Sequence, residues 1–580
     1  MKNLQIIKAG SDIYKKIRFK VMILTCVIIC ISCNEEEFLK EVPLDFASPE
    51  NSYVTNADFE AAIYNLHHLT RRIFWYNTQV WYWWLGTDIV ESYNDINGAF
   101  NYKTYWGSTG AGPAHLWSSS YQVIYDANVI LERSESEYSQ LTDDQKKIIQ
   151  AEARFFRGYF FNCLANVFGG VPIVLEEIKT PKRDYVRATR EEVYKLCAED
   201  LEFAASNLPD IEAVDESRIN RLAASHVLAE VYISLKRWQD AITEASKVID
   251  HPATALMTQR FGSTEEKLFN DPNFDGDVYW DMFRRGSQDR FNGNTESIWV
   301  LQFKYFETDD NGLMGGGDRQ DLCLARQITP DLTNAKIVQS NGKMQPVLKK
   351  PNTYYNQRGQ GYLKPSPYFL YRIWKGTDMR NSKCNIIRDY PVLNPSNEYN
   401  GKWVIADNLP LVKNTATDTA RFFYTQVGKA ISPGLDPPEY MDPDQSIPGS
   451  IITSARRTWR KNYQIRLAET YLLRAEAYLG AGNQIMAADD INIVRRRANA
   501  PDVTPGEVDI DYILDERLRE LYFEEIRIIT LCRLGKVVDR ARRFSPIISK
   551  TIGDHQNLWA IPNADIIKNV EATLEQNPGY

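Results

Sequence analysis

The chain has 580 residues, a net charge of −8, 43% hydrophobic and 25% charged side chains. These values are typical of a globular protein with more than one core. The negative charge, without a long basic run, argues against nucleic acid as a partner. Aromatic residues are the exception at 12%, with 13 Trp and 32 Tyr. Flat rings with polar edges suit sugar binding and protein interfaces.

The chain opens with a basic stretch followed by the short apolar run 21–31. A transmembrane helix needs about 20 apolar residues, so this run indicates a secretory signal. It ends at Ser32-Cys33, which resembles a bacterial lipobox. Residues 1–32 are therefore a predicted lipoprotein signal peptide, with Cys33 lipidated. Cys30 is the alternative lipidated residue, and an ordinary cleaved signal beside a coincidental cysteine is the other interpretation.

Residues 33–55 predict a tether with an acidic run (35–37) and an extended lead-in (38–48). Like charges repel one another, so the run keeps the tether extended. It also resembles the signal that sends lipoproteins of Bacteroidetes to the cell exterior. Several acyl chains on Cys33 would hold the protein on a membrane without a spanning helix.

Apolar residues then recur at helical spacing. The predicted helices of the first half span 59–73, 114–133, 145–167 and 190–208, and 219–249 forms a helical hairpin. Helix starts are expected at 55–58 and 141–144, where capping residues precede the apolar pattern. These elements predict an N-terminal helical domain over 56–250.

Helical spacing fades after residue 250, where Gly, Pro, Asn and Asp become frequent. A strand is predicted at 297–306 from its partly alternating pattern. Helices return at 462–479, 484–497 and 511–534. We therefore expect an irregular insertion with short strands over 251–460 and a C-terminal helical domain over 461–580.

Two of the predicted helical hairpins repeat one small–Tyr–small spacing. The positions are Ala229, Tyr232 and Ala241 in the first copy and Ala475, Tyr478 and Ala487 in the second. Small residues let two helices approach closely while the tyrosine fills the groove, as in the 34-residue tetratricopeptide helix pair. The spacing predicts a helical solenoid interrupted by a large insertion. Two unrelated hairpins are the alternative.

Several stretches, in this order, resemble the SusD/RagB family of outer-membrane nutrient-binding lipoproteins. They are the lipobox with the acidic run after it, Phe38-Leu39, 151–174, 221–249, 463–483, 514–528 and the last stretch, 558–580. The resemblance implies a mainly α fold: a tetratricopeptide-like superhelix of about four units, with large irregular insertions and a few short strands. It also implies a SusC-like, TonB-dependent transporter as partner, and a glycan or sometimes a peptide as ligand.

No enzyme motif is present, since the six His form no HExxH pattern and GxSxG, P-loop and GxGxxG stretches are lacking. Dense charges at 516–527 fall at helical spacing, which predicts ion-paired helix faces rather than a site. We expect no catalysis, although spacing leaves a glycosidase carboxylate pair open. The five cysteines beyond Cys33 are scattered and odd in number, which predicts buried free thiols.

Residues 271–277 resemble the start of a calcium loop. Asp271, Asn273 and Asp275 occupy ligand positions 1, 3 and 5. The acid expected at position 12 is missing, because Met282 stands there with Asp281 beside it. The sequence favours a plain acidic turn over a calcium site.

The best ligand candidate is the aromatic segment 74–106. Its first part, which includes Trp81, suits helix core or transporter contact, whereas 91–106 is loop-like. The predicted ligand-binding residues are Tyr93, Asn94, Asp95, Asn97, Tyr102 and Trp106, with Tyr305 and Arg319 in a second loop. Sugar rings need a stacking platform plus amide or carboxylate partners. Aromatic packing inside the loops is the alternative.

Together these patterns predict a non-catalytic lipoprotein, anchored to the outer membrane and exposed at the cell surface. It would bind an oligosaccharide or similar fragment and deliver it to a SusC-like transporter. No cofactor is expected unless the 271–277 turn binds calcium. A surface glycoside hydrolase and a tetratricopeptide-type interaction scaffold stay open as alternatives.

Overall fold

The computed structural model describes Arg18, Lys20 and residues 52–75, 80–92, 100–262, 275–302, 324–405, 421–455 and 460–580. Over these ranges the protein is mainly helical, with five two-stranded sheets. The predicted fold class is confirmed. None of the described helices is long and apolar enough to cross a membrane.

The first half is a series of helices in which neighbours pack against one another. They are α1 (Asn56–Trp75), α2 (Val80–Trp84), α3 (Tyr102–Tyr105), α4 (Ala111–Ser134), α5 (Asp143–Phe168), α6 (Arg190–Asn207), α7 (Arg221–Ser234) and α8 (Trp238–Ile249), with the strand β1 (Val90–Ser92) between α2 and α3. Reciprocal capping boxes start α5, from Thr142 to Gln145, and α6, from Thr189 to Glu192. From α4 onward each helix contacts the next, up to α8.

The middle of the chain contains short elements. They are α9 (Val278–Asp281), β2 (Ser297–Leu301), α10 (Leu324–Ile328), β3 (Lys336–Val338), β4 (Met344–Pro346), β5 (Leu363–Pro365), α11 (Pro367–Tyr371), β6 (Ile386–Ile387), β7 (Asp389–Pro391), β8 (Trp403–Ile405) and β9 (Gln426–Val427). Their antiparallel pairs are β1–β5, β3–β4, β6–β9 and β7–β8. The β1–β5 pair joins this region to the N-terminal helices, across the predicted boundary at residue 250.

The C-terminal part returns to helices. Its elements are β10 (Asn462–Arg466), α12 (Leu467–Gly480), α13 (Gln484–Arg497), α14 (Ile510–Leu521), α15 (Arg527–Arg533), α16 (Val537–Phe544) and α17 (Asn563–Lys568). Short 3₁₀ helices are Arg290–Asn292, Met379–Asn381, Gly428–Ala430, Pro438–Tyr440, Pro505–Glu507 and Ile548–Lys550.

Two predicted helices are wrong in part. The helix expected at 462–479 begins as strand β10, because Asn462 lies opposite Leu301 in an antiparallel pair with β2. The helix expected at 511–534 is broken between α14 and α15. There Phe523 adopts a positive φ of 57° and packs its ring against Trp84, 4.8 Å between centroids. Both departures are tertiary contacts that helical spacing cannot report.

The two repeated hairpins lie side by side, since α8 packs against α12. The small residues of the repeat, Ala229, Ala241, Ala475 and Ala487, are fully buried. Close approach is sharpest at Gly480, where a Cβ atom would lie 2.6 Å from the Trp238 ring. The two hairpins are therefore neighbours in one helical array, and their relation as repeats of one unit stays a prediction.

Buried ion pairs hold the C-terminal half together. Glu516 binds Arg380 and Arg495 at 2.8 Å and Arg519 at 2.7 Å. Arg380 also binds Glu520 at 3.0 Å. The prediction of ion-paired helix faces is corrected: Arg519 follows helix spacing within α14, whereas Arg380 and Arg495 come from other elements. Burial opposes the charge, but Arg519, Arg380 and Arg495 lower the pKa of Glu516 to about 2.

Four cysteines, Cys163, Cys197, Cys384 and Cys532, are buried free thiols, as predicted. Burial raises the pKa of each thiol above its ordinary value. A buried thiol that stays protonated packs as a small apolar side chain.

Candidate functional site

Most predicted site residues fall outside the described ranges. They are Cys30, Cys33, Tyr93, Asn94, Asp95, Asn97, Asp271, Asn273, Tyr305 and Arg319. Their roles stay predictions. Tyr102, Trp106 and Asp275 are described, and each can be placed.

Tyr102 and Trp106 lie in the protein core rather than in a ligand loop. Both are fully buried, and Trp106 stacks on Trp559 with 4.5 Å between ring centroids. A Cβ atom added to Gly112 would lie 2.4 Å from the Trp106 ring. The expectation for these two residues is corrected, because a ring packed on its faces by other core residues offers no platform to a sugar.

The described part of the acidic turn is used for structure. Asp281 binds Arg260 through a bidentate pair, and its Oδ1 accepts from Nη2 at 3.0 Å. Asp277 caps α9 by accepting from the Trp280 amide at 2.8 Å. Asp275 is exposed, and its backbone oxygen accepts from Arg260 at 2.9 Å. Asp281 is therefore not available to replace the missing acid of a calcium loop.

Both predicted ligand loops adjoin the same strand, β5. Strand β1 ends at Ser92, just before the first loop, and Ser92 lies opposite Leu363 of β5. Helix α10 starts at Leu324, just after the second loop, and packs on β5. Trp81 of α2 donates from Nε1 to Oε1 of Gln327 in α10 at 2.8 Å. The residues around these contacts are thus the described base from which both loops depart.

A partly exposed group of side chains, here called the Trp81 patch, covers this base. It consists of Trp81, Arg326, Gln360, Tyr362 and Arg421. The Trp81 and Tyr362 rings are 5.6 Å apart at 46°. The Arg421 guanidinium lies 5.4 Å from the centre of the Tyr362 ring. This combination of rings and fixed donors is the arrangement that a sugar requires.

Hydrogen bonds fix the donors of the Trp81 patch. Arg421 Nε donates to the Gln360 backbone oxygen at 2.9 Å. Arg326 Nε donates to the Gln360 side-chain oxygen at 2.7 Å. Tyr362 is held by its amide, which donates to the Gln327 backbone oxygen at 2.9 Å. A site held in this way loses little conformational entropy when a ligand binds.

One carboxyl group lies beside the patch in the β1–β5 pair. Glu91 is opposite Lys364 in that ladder. Burial raises the pKa of Glu91, and the nearby Lys364 acts in the opposite direction. This pair places an acceptor and a further cation at the start of the first predicted loop.

The aromatic segment 74–106 contains both buried and partly exposed rings, and the predicted ligand rings Tyr102 and Trp106 are among the buried ones. In 74–106, Phe74, Trp83 and Trp84 are buried core, as the core interpretation of that part expected. Among the described rings of this segment, Trp81, one residue from the start of α2, is partly exposed, and so is Phe100, which follows the first predicted loop. Tyr362 and Arg421 carry no motif, and they join Trp81 only through β5 and the strand pairing around it.

A second concave feature, here called the α4 cleft, has a volume of about 280 Å³. It lies between α4, the segment that follows α5 and the C-terminal segment around α17. Its aromatic lining is Trp117, Tyr121, Tyr125 and Tyr185, with Ile124, Val174, Ile178 and Leu574 among the aliphatic residues. Asn569 fastens two of its walls, because its Oδ1 accepts from the Tyr185 amide at 2.7 Å and its Nδ2 donates to the Tyr185 oxygen at 2.8 Å.

Within the described ranges, no three His, Cys, Asp or Glu side chains are grouped so as to hold a metal ion. The acidic residues of α14 are bound by arginines, as described above for Glu516. These carboxylates of α14 are therefore committed to the fold.

Two family models match the chain. One, described as "Starch-binding associating with outer membrane", matches residues 44–233. The other, described as "SusD family", matches residues 295–580. Among curated relatives, "SusD-like protein P25" of Formosa agariphila is 24% identical over 303 residues, 48% of this chain and 54% of that protein. A "SusD-like protein" of Bacteroides ovatus is 22% identical over 305 residues, 49% and 50% of the two chains.

The chain thus matches about half the length of these curated relatives. Solved structures match over nearly the whole chain. A "Laminarin binding SusD-like protein" has a TM-score of 0.63 at 22% identity, covering 91% of this chain and 100% of that one. "Surface glycan-binding protein A from Bacteroides thetaiotaomicron in complex with laminarihexaose" has a TM-score of 0.62 at 17% identity, covering 90% and 100%. The shared fold and the two family matches show that the chain belongs to the SusD/RagB family.

Proposed function

We propose that this protein is a non-catalytic glycan-binding protein whose ligand stacks on the Trp81 patch. The observation that carries the proposal is the Trp81–Tyr362 ring pair with Arg421 above it, where both predicted ligand loops depart. The C–H face of a sugar would pack on these rings, and its hydroxyls would accept from the guanidinium groups. The predicted loop residues belong to the same proposal: Tyr93, Asn94, Asp95, Asn97, Tyr305 and Arg319.

The relatives support a glycan as the ligand class. One structural neighbour is named for laminarin binding, and another was solved with laminarihexaose. Laminari-oligosaccharides are therefore the first ligands to test, with starch fragments next because of the family description. A peptide is the second ligand class that the family resemblance implies.

The proposed setting is the outer surface of the outer membrane, with the lipid on Cys33 and a SusC-like, TonB-dependent transporter as partner. The signal-peptide pattern and the family description, which includes association with the outer membrane, support this setting. Cys33→Ser should move the protein from the membrane to the soluble fraction. Cys30→Ser should leave it in the membrane, and the reverse result would assign the lipid to Cys30.

A glycan panel tests the binding function. The soluble chain with Cys33→Ser is run in affinity gels that contain laminarin, starch or other polysaccharides, and each mixture is then checked for released product. Retardation by at least one glycan without product supports the proposal. Product release would favour the glycoside hydrolase alternative, and no retardation while the transporter co-purifies would favour the scaffold alternative.

Two variants locate the binding site. Trp81→Ala removes a ring of the patch and should weaken binding about tenfold or more, a loss of about 1.4 kcal/mol. Phe291→Ala is the matched control, because Phe291 is an aromatic residue that is 77% exposed. None of the patch residues is close to Phe291 in sequence. If both variants were retarded equally in the glycan-containing gels, the Trp81 patch would not be the binding site.

A further inference from the structure

The α4 cleft brings four aromatic rings to one concave surface. Trp117, Tyr121 and Tyr125 follow one another at four-residue spacing on one face of α4, each about 6 Å from the next along the helix axis. Tyr185, on the segment that follows α5, lines the cleft as well. Trp117 is buried, whereas the three tyrosines are partly exposed. The cleft therefore offers ring surface to a ligand that enters from solvent.

Contacts behind these rings hold them in place. Trp117 packs on Phe168 of α5 with 5.1 Å between ring centroids. The Tyr121 hydroxyl donates to the Pro172 backbone oxygen at 2.7 Å. The backbone of Tyr185 is fastened by the two hydrogen bonds described above. A cleft whose walls are already fixed loses little conformational entropy when it binds a ligand.

Charged groups of both signs share the cleft with the rings. Its lining includes the exposed Lys182 and Lys568 and the half-buried Asp565. Lys182 is also close to Asp184, with 3.3 Å between Nζ and Oδ1. The two lysines and the two aspartates therefore cancel one another in net charge. Burial raises the pKa of Asp565, and the nearby Lys568 acts in the opposite direction. Among the described residues, no donor forms a hydrogen bond with the Asp565 carboxylate.

This mixture of rings and balanced charges selects among ligand classes. A purely apolar ligand would cover the Asp565 carboxylate without giving it a hydrogen bond, which costs free energy. A charged ligand of either sign would meet groups of its own sign as well as groups of the opposite sign. A sugar has an apolar C–H face for the rings, and its hydroxyls both donate and accept hydrogen bonds. The lining of the cleft therefore favours an uncharged sugar.

The size of the cleft limits the length of such a ligand. Its volume of about 280 Å³ is just below the range of about 300–1,000 Å³ that is usual for small-molecule sites. That volume suits one or two sugar units rather than a long glycan chain. The residues that line the cleft are all different from those of the Trp81 patch, which is built on α2, α10 and β5.

We propose that the α4 cleft is a second carbohydrate site, which binds one or two uncharged sugar units against its tyrosine rings. Asp565 accepts hydrogen bonds from the sugar hydroxyls, and Lys182 and Lys568 donate to them. The ligand class rests on the proposed glycan-binding function, whereas the location is independent of the Trp81 patch. A chain with two sites binds a polysaccharide more tightly than either site binds a short sugar, provided that one molecule can reach both.

Calorimetry with a disaccharide tests the proposal in the soluble chain with Cys33→Ser. The probe is the disaccharide unit of the glycan that retards the chain in the gels, which is laminaribiose in the case of laminarin. Wild type should bind two equivalents. Trp81→Ala should keep the equivalent that binds in the α4 cleft. Adding Tyr185→Ala to Trp81→Ala should weaken this remaining binding about tenfold or more.

Two further variants control for folding and for position. Asp565→Ala, added to Trp81→Ala, removes an acceptor at a half-buried position and should weaken the remaining binding about threefold or more. Tyr64→Ala is the matched control for Tyr185→Ala, because Tyr64 is a 45% exposed tyrosine of α1 that does not line the cleft. It should leave both equivalents unchanged. Melting temperatures near that of wild type would show that each variant is folded.

The possible results separate this proposal from the proposed function. A single equivalent in wild type that is lost in Trp81→Ala would overturn the second site and leave the proposed function intact. Unchanged affinity after Tyr185→Ala and Asp565→Ala are added to Trp81→Ala would also overturn it. If no sugar bound to wild type at all, the proposed function and the second site would both be wrong.

Discussion

The cluster around Trp106 and the Trp81 patch contain the same residue types but expose them to solvent to different extents. In the first, Trp106 is stacked on Trp559 and is fully buried. In the second, Trp81 and Tyr362 contact each other but stay partly exposed. The difference lies in what covers the rings: core side chains cover Trp106, whereas Trp81 and Tyr362 are partly open to solvent near the ends of the two predicted ligand loops. Aromatic content therefore identifies the region of interest, and burial decides which rings are available to a ligand.

The largest loss of stability should come from a substitution in the cluster around Trp106. Trp106→Ala would leave a cavity beside Trp559 and cost about 3–5 kcal/mol of the free energy of unfolding. Chemical denaturation would measure this loss, and the fraction that remains folded should bind glycan with unchanged affinity. A variant that stays as stable as wild type but loses binding would break the comparison, because Trp106 would then be a ligand residue.

Buried charged residues, like buried rings, should affect stability rather than glycan binding. Glu516 has a pKa of about 2 against an ordinary value of 4.5, so its ion pairs contribute fully above pH 4.5 and are lost as the pH falls towards 2. Glu516→Gln should cost about 3 kcal/mol at pH 7, and the difference from wild type should shrink below pH 4.5. Denaturation curves at pH 7, 4 and 3 measure it. A difference that does not change with pH would contradict the assigned pairing.

A smaller effect is expected at the surface cation. Arg421→Ala removes the guanidinium from the Tyr362 ring and should weaken glycan binding about two- to fivefold, or about 0.5–1 kcal/mol. Arg421→Lys keeps the charge but loses the planar donor fork, so it should fall between wild type and Ala. Titration calorimetry measures both variants, and stability should stay near wild type. If Arg421→Ala bound glycan as tightly as wild type, Arg421 would not belong to the binding site, and only the Trp81 and Tyr362 rings would remain in it.

Sequence patterns predicted the helical architecture well, because it depends on local signals. Capping residues placed the start of α5, and small residues at repeat positions identified the pair of hairpins. The errors arose where distant segments meet. Helical spacing predicts a helix where strand β10 lies, because the partner of β10, strand β2, is far away in sequence. The break before α15 depends on the contact of Phe523 with Trp84.

The site was predictable only in part for the same reason. The aromatic residues of segment 74–106 predict a ligand site there, yet composition does not separate the buried Trp106 from the partly exposed Trp81. Tyr362 and Arg421 reach Trp81 through β5, and no local pattern reports that meeting. The lipid anchor and the loop residues 93–97 rest on sequence alone, and they stay predictions.

A structure of the complex with a laminari-oligosaccharide, or with the best ligand of the glycan panel, tests the central claim most directly. The account predicts a sugar ring about 4–5 Å from the Trp81 or Tyr362 ring, with a hydroxyl within hydrogen-bond distance of Arg326 or Arg421. A sugar bound only in the α4 cleft, against Trp117 and Tyr121, would contradict it.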